Sequence, residues 1–370
     1  TLRLPLGLVR SPEEWLAHRQ GAATAAHPMI LFEQHAGGGS RKLAPAKARP
    51  LEGVRVVELA NVVAGPTCAR ALAEQGAEVI KIAPPTGPIT TGIWLDANWG
   101  KRQFRLDITS APGRAKLVAL LAEADVLLSS QSPGVLSDLN LNPDELFEIN
   151  PDLIVADFSY APKGSPWAFR KGFEQIAQAV SGIVHAHSEN RFEDSPTLIS
   201  VLINDFCSAY NMATGIVVAL TARQESGGGW YVEHSLLRNA TEAVRYIRPV
   251  HDETYAPVSE DDLLRWAIDQ DSPLGVFTRL CPPVMFSHTP SCVYRPTMLP
   301  FWGVEGLAWQ AEPLAHDGLP HRPSEVVSQG RLLDFVSTYG IEDRGDGGGR
   351  VSFYSRSLFA LAARTAADHG

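Results

Sequence analysis

Apolar residues along this chain fall into short β-branched runs separated by stretches of helical period, the arrangement of an alternating α/β fold. Val54-Arg55-Val56-Val57-Glu58-Leu59 reads as a buried strand. Pro66 then opens a helix that Gly76 closes, and Glu78-Val79-Ile80-Lys81-Ile82 reads as the next strand. These three elements make one βαβ unit with a right-handed crossover. A second βα pair is predicted at Phe104 to Leu106 and at a helix from Pro112 to Glu123, with further strands at Asp125 to Leu128 and Leu153 to Asp157. Such alternation predicts a doubly wound parallel sheet. A long helical region follows, from Phe173 to about Val184 and again from Asp205 to Gln224, where Phe206, Tyr210, Ala213, Ile216, Val217 and Leu220 repeat at a helical period. Gly227-Gly228-Gly229 ends it, and Trp230-Tyr231-Val232 reads as a strand.

The flanks are less regular. Ser11-Pro12-Glu13-Glu14 is a capping box with proline at the first helical position. The pattern divides the chain into an N-terminal segment (1–34), a linker (35–50), the α/β core (51–248), an extended, wrapping segment (249–310) and a divergent tail (311–370). The stretch from Cys281 to Pro300 is proline-rich and cannot be regular helix, and Arg344 to Arg350 reads as a mobile loop.

Composition narrows the function classes. The chain has 370 residues, 45% hydrophobic and 20% charged, as in a folded globular protein. A net charge of −9 argues against nucleic acid or an anionic membrane as the main partner. No apolar run approaches eighteen residues and no signal-peptide pattern opens the chain, so no membrane insertion and a cytoplasmic location are expected. The chain begins at Thr1, which suggests that the native N-terminus is missing. Cys68, Cys207, Cys281 and Cys292 match neither a disulfide scaffold nor a metal site and are expected to be buried. The loop Ala60-Asn61-Val62-Val63-Ala64-Gly65-Pro66 lacks the three glycines of a dinucleotide fingerprint, which argues against NAD and FAD. A ligand is still expected at the carboxyl ends of the strands, near Gly65.

The run from Leu51 to Ile82 resembles the opening of the class III CoA-transferases, the CaiB/BaiF family. The resemblance continues in order through Gly100–Ile108, Ser132–Leu136, Asn150–Ser159, Gly172–Ile183 and Ala213–Leu237, and so covers roughly Leu51 to Arg245. The segment from about Asp269 to Trp309 looks like the end of a short-chain subgroup. The resemblance implies a Rossmann-like large domain, a smaller second domain and an interlocked homodimer. It also implies an enzyme that moves CoA between carboxylic acids or epimerises an acyl-CoA. In the transferases an aspartate becomes a mixed anhydride and then an aspartyl-CoA thioester; in the racemases a histidine and an aspartate act as acid and base.

Residue by residue, the match is incomplete. The transferase nucleophile falls on Glu193, with Asp194 beside it, and a glutamate is one methylene longer. The racemase histidine falls on Phe173, which carries no proton, while its partner aspartate is kept as Asp205 and Glu174 takes the place of a further aspartate. A carboxylate at Glu174 is equally explained as a helix cap. Three positions where the family meets CoA phosphates with cations are Pro84, Thr109 and Asp138; an Asn-Phe pair is Ser130-Gln131, and a glutamine or arginine is Val63. Each charge-assisted contact is worth roughly 1.5–3 kcal/mol, so three losses are large. Lys101, Arg102 and Arg105 remain as cations for CoA, although ion pairing within the fold explains them as well.

Two readings of function follow, from different chemistry. In the first, the fold is repurposed as a CoA-independent isomerase or cyclase of specialised metabolism acting on a hydrophobic small molecule, with no cofactor. It holds a reactive conformer and activates a carbonyl through Glu193, Asp205, Glu174 and Tyr160, with Phe173, His185, His187 and Val63 against the substrate. In the second, the chain is an acyl-CoA:carboxylate CoA-transferase with a glutamyl nucleophile, and Lys101, Arg102 and Arg105 hold CoA. A third reading is a non-catalytic binding or scaffold protein.

Overall fold

In the computed structural model the predicted strands come together with one unpredicted edge strand in a seven-stranded sheet. They are β1 (Leu31–Gln34), β2 (Arg55–Leu59), β3 (Glu78–Ala83), β4 (Arg102–Arg105), β5 (Val126–Ser129), β6 (Ile154–Ser159) and β7 (Trp230–Ser235), in the order β1-β7-β6-β5-β2-β3-β4. All neighbours are parallel except β1, which pairs antiparallel with β7 at the edge. The structure describes residues 5–35, 39, 41–46, 48–86, 91–188, 196–199, 201–247, 259, 264–272, 275–284, 286, 288–289, 307–310, 340–343 and 349–352.

The flanking helices are α1 (Pro12–Ala17), α2 (Arg19–Ala26), α3 (Ala64–Glu74), α4 (Thr91–Ala97), α5 (Ala111–Glu123), α6 (Val135–Asp138), α7 (Pro143–Ile149), α8 (Glu174–Ser181), α9 (Ile183–Ser188), α10 (Ile203–Ser226) and α11 (Leu236–Ala243). Strand side chains alternate between faces, and both faces are covered. Val56, Val79, Leu128 and Ile154 pack with α3 and α10. Their neighbours Val57, Ile80, Leu127 and Val155 pack with α5 and α7 on the other side. This is why the β2, β3 and β5 sequences do not alternate apolar with polar; inside β2 and β3 the apolar run is interrupted only by the buried Glu58 and Lys81. Mixed α/β architecture with a largely parallel sheet is what the periodicity predicts. A smaller cluster gathers Trp15 of α1 with α8, α9 and α11.

Several elements differ from expectation. Strand β1 has only four residues, LFEQ, and no alternation to betray it; it exists through its pairing with β7. Within the stretch read as a linker, the Arg41 guanidinium lies 3.5 Å from Asp125 and its backbone N–H donates to Asp152. The helix expected from Phe173 to Val184 is two, α8 and α9, broken at Gly182 in the left-handed region (φ 96°). In the segment expected to be extended, β8 (Ala267–Ser272) and β9 (Gly275–Leu280) form an antiparallel pair. They join β10 (Gly340–Asp343) and β11 (Gly349–Ser352), from the divergent tail, in a second sheet of order β10-β11-β9-β8. Most of the proline-rich stretch and residues 344–348 lie outside the described residues. Farther on, Trp309 packs back on the core, donating from Nε1 to the Leu120 carbonyl at 3.1 Å, with the Arg55 guanidinium over its ring. Among the described residues, no helix is long and apolar enough to cross a membrane.

Candidate functional site

The sheet order places a topological switch between β2 and β5: from β2 the chain crosses to β3 and β4 on one side, and β5 lies on the other. The loops after β2 and β5 therefore part at this point. Asn61 N–H donates to Ser130 Oγ (3.3 Å), and Gln131 Nε2 donates to the Leu59 carbonyl (2.8 Å). Gly65 is required, since a Cβ there would sit 2.4 Å from that of Ala60. Val63, expected against substrate, is buried at the start of α3, whereas Val62 is the valine exposed to solvent, with a positive φ of 68°. A β-branched residue in that region is strained, and no sequence pattern announces it.

Beneath this loop lies a fully buried ion triad. Glu58 Oε1 is 2.5 Å from Lys81 Nζ, and Glu58 Oε2 is 2.8 Å from Lys101 Nζ. Lys81 also donates to the Ala60 carbonyl, and Lys101 to the Pro66 carbonyl at 2.7 Å, so the triad ties down both ends of the loop. Burial pushes Lys101 down to about 7 against the pull of Glu58; burial also works to raise Glu58, but the two ammonium groups hold it below the usual carboxylate range. Lys101, expected as a phosphate contact, is thus turned inward as a counter-ion of Glu58. Arg102 pairs with Glu78 at 2.9 Å and stacks on Phe104. Arg105 reaches up to the loop after β3, donating to the carbonyls of Pro84 and Pro85 at 3.0 Å each. Its guanidinium therefore lies beside Pro84, the position at which the resemblance implies an arginine.

The second part of the site is a pair of carboxyl groups. Glu174, the first residue of α8, is buried and does not act as an exposed cap. Its Oε1 accepts from Gln178 Nε2 (2.7 Å) and Asn204 Nδ2 (2.9 Å), and its Oε2 accepts from the backbone N–H of Asp205 (2.9 Å). Asn204 Oδ1 in turn accepts from Asn239 of α11, whose Oδ1 accepts from Asn211. Five side chains from three helices thus fix the start of α10 against the start of α8. Asp205 is half-buried in the first turn of α10, and its carboxylate makes no hydrogen bond among the described residues. Burial, with the negative Glu174 beside it, raises Asp205 to about 7. Burial also raises Glu174, opposed by its donors. Sequence reasoning found both acids but missed Gln178, Asn204, Asn211 and Asn239, whose amides gain meaning only when the helices pack.

The remaining expected residues surround this pair unevenly. Phe173, directly before Glu174, is half-exposed. Tyr160, just past β6, lies beneath Gly172, where a Cβ would come within 2.1 Å of its ring. Its hydroxyl is shut from solvent with no hydrogen-bond partner among the described residues. His185 and His187 are half-buried on α9, and His185 acts electrostatically on Glu13 of α1. Glu193 and Asp194 lie outside the described residues. Cys68 is buried as expected, but Cys207 is exposed, two residues from Asp205. Among the described residues, no group of three or more His, Cys, Asp or Glu side chains could hold a metal ion.

A sequence profile described as CoA-transferase family III matches residues 51–257. An acetyl-coenzyme A transferase, nodX, of Hypoxylon pulicicidum is 34% identical over 195 residues, covering 51% of this chain and 32% of that protein. A formyl-CoA:oxalate CoA-transferase of Rhodopseudomonas palustris (strain HaA2) is 37% identical over 194 residues, covering 49% of this chain and 45% of that one. The chain thus spans less than half the length of either relative. The crystal structure of a CAIB/BAIF family protein from Brucella suis superposes with a TM-score of 0.50 at 29% identity, covering 54% of this chain and 56% of that chain. These relatives give no support to a CoA-independent isomerase or cyclase. With the profile spanning more than half of its residues, and with the parallel sheet to match, the chain belongs to CoA-transferase family III.

Proposed function

We propose that this chain carries out a CoA-transferase type of acyl transfer, with Asp205 as the nucleophilic carboxylate. The supporting observation is the Asp205–Glu174 pair. One carboxyl group is held by three donors, while its neighbour is half-buried and makes no hydrogen bond among the described residues. A carboxylate free of hydrogen bonds and partly desolvated is a stronger nucleophile than a solvated one. It attacks the thioester carbonyl of an acyl-CoA and expels the CoA thiolate, giving a mixed anhydride. The thiolate attacks the aspartyl carbonyl of that anhydride and releases the donor acid, leaving an aspartyl-CoA thioester. The acceptor carboxylate then repeats the sequence in reverse and departs as the new acyl-CoA. Each exchange is neutral in electrons and needs no further reactant.

In this reading Glu174 positions the nucleophile and raises its proton affinity, and CoA lies across the carboxyl ends of β2, β3 and β5. There the tethered loop and Arg105 offer backbone donors and one cation near Pro84. Transfer by Glu193 is the competing version. A homodimer in the cytoplasm belongs to the same reading. The test is transfer from acetyl-CoA to a panel of short carboxylic acids. Asp205→Asn should lower kcat/KM by at least about 10³-fold while Glu193→Gln keeps most of it. Loss in Glu193→Gln with full activity in Asp205→Asn would overturn the assignment. Because Asp205 must be ionised to attack, wild-type kcat/KM should rise with pH through about 7.

A further inference from the structure

A row of amides leads through α11 to the carboxyl pair. Asn211 Nδ2 of α10 donates to Asn239 Oδ1 of α11 (3.1 Å), Asn239 Nδ2 donates to Asn204 Oδ1 (3.0 Å), and Asn204 Nδ2 donates to Glu174 Oε1 (2.9 Å). Asn204 and Asn239 are buried, and Asn211 is the half-buried end. The other two donors on Glu174 have directions that the backbone fixes. Gln178 Oε1 accepts from Ile199 N–H (2.9 Å), which leaves its Nε2 for Glu174 Oε1 (2.7 Å), and Glu174 Oε2 accepts from Asp205 N–H (2.9 Å). Each asparagine carbonyl accepts from the amide before it, so the direction of the row is set from its Asn211 end. An ionised carboxyl group only accepts, and all of these donors point at it. Reversed, the row would present Asn204 Oδ1 to Glu174 Oε1, and two oxygens in that contact need a proton between them. The direction of the row and the charge of Glu174 are therefore one state.

Neighbouring carboxyl groups resist ionising together, so their donors decide which of them keeps the proton. Glu174 has the donors, and Asp205 beside it has none among the described residues. Of the titratable groups, Asp205 and Cys207 on α10 feel the Glu174 charge. Charged groups on the other elements packed on α8 are engaged elsewhere. Arg238 and Glu242 of α11 pair with each other at 3.2 Å, and Glu13 and Glu14 of α1 accept from Ser11. His185, beside His187 on α9, acts on Glu13, and Arg10 turns its guanidinium back to the Leu8 carbonyl. We propose that Asn239, with Asn211 behind it and Asn204 in front, is a positioning residue of the site: the row keeps Glu174 the anion of the pair and leaves the last proton to Asp205. Asn239 thus sets the pH at which Asp205 becomes an anion while acting only through Asn204.

The part this row plays in transfer rests on Asp205 being the nucleophile; its hold on the proton does not, and the two are measured separately. The first readout is the pH above which the melting difference between a protein and its Asp205→Asn counterpart stops growing. It reports where Asp205 loses its proton and needs no turnover. Asn204→Leu should lower that pH by about one unit or more, and Asn239→Leu by about half a unit, since each returns proton affinity to Glu174. Thr241→Val removes a buried α11 hydroxyl that accepts from Trp15 Nε1 (2.9 Å), and it should lower stability without moving that pH. Asn211→Leu, at the half-buried end, should move it the same way by a smaller step, and it serves as the test if a buried variant does not fold. The second readout is the pH profile of kcat/KM, which should shift with the first. A shift in the first readout alone upholds the row and removes Asp205 as the nucleophile. An Asp205 titration unmoved by Asn239→Leu and Asn211→Leu, or moved equally by Thr241→Val, would overturn the positioning role.

Discussion

Glu58 shows how far one buried group can determine a loop. Its carboxylate faces two ammonium groups with all three side chains removed from water. Glu58→Gln leaves two like charges buried without an anion, and such breaks cost about 3–5 kcal/mol. Thermal or denaturant unfolding should show that loss, whereas Arg102→Gln, at a partly exposed pair, should change stability by less than about 1 kcal/mol. Asp205 makes an opposite prediction. It titrates at about 7 in the fold but near its ordinary value of about 3.9 when unfolded. Between those values the folded chain holds the extra proton, so stability falls as pH rises through the window. Asp205→Asn removes that penalty. The variant should melt above wild type at about pH 8, and the difference should close towards about pH 4. Removing the Glu174 charge by Glu174→Gln should shift the midpoint of the wild-type pH–rate profile downwards, a change that loss of a purely structural contact would not produce. At this scale the two acids were legible because residue type alone marks them. The inward turn of Lys101 and the exposure of Val62 rather than Val63 were not, because they depend on side-chain direction and on one positive φ.

Elements buried on both faces were the most legible. Strands β2, β3, β5 and β6 carry their burial in their own composition, and the helix expected from Pro66 begins within two residues of that position. Strand β1 was invisible because its partner, not its sequence, makes it a strand. The break between α8 and α9 depends on a distant residue. At Gly182 an added Cβ would meet Pro12 backbone at 2.5 Å, so the glycine serves the docking of α1 as well as the turn. Gly182→Ala carries the left-handed penalty of about 1–2 kcal/mol and a backbone clash besides. Its unfolding free energy should drop by at least about 2 kcal/mol, with Trp15 fluorescence reporting a loosened α1.

For the whole molecule, the fold follows from the alternation of strand and helix, and the family follows from the order of matched segments. The path of the chain beyond residue 257 did not, because β8 pairs with β9, and β9 pairs with β11 far later in the chain. The candidate site was half legible: its acids lie in matched motifs, while its amide frame comes from helix packing. A homodimer predicts twice the chain mass by light scattering at micromolar concentration; a single-chain mass would remove that part of the reading.

The most direct measurement is to quench the enzyme with hydroxylamine during turnover with acetyl-CoA and an acceptor acid, and to map the modified peptide by mass spectrometry. The account predicts a hydroxamate on Asp205, absent when CoA donor is withheld and absent from Asp205→Asn. A hydroxamate on Glu193, or turnover that leaves every carboxylate unmodified, would contradict it.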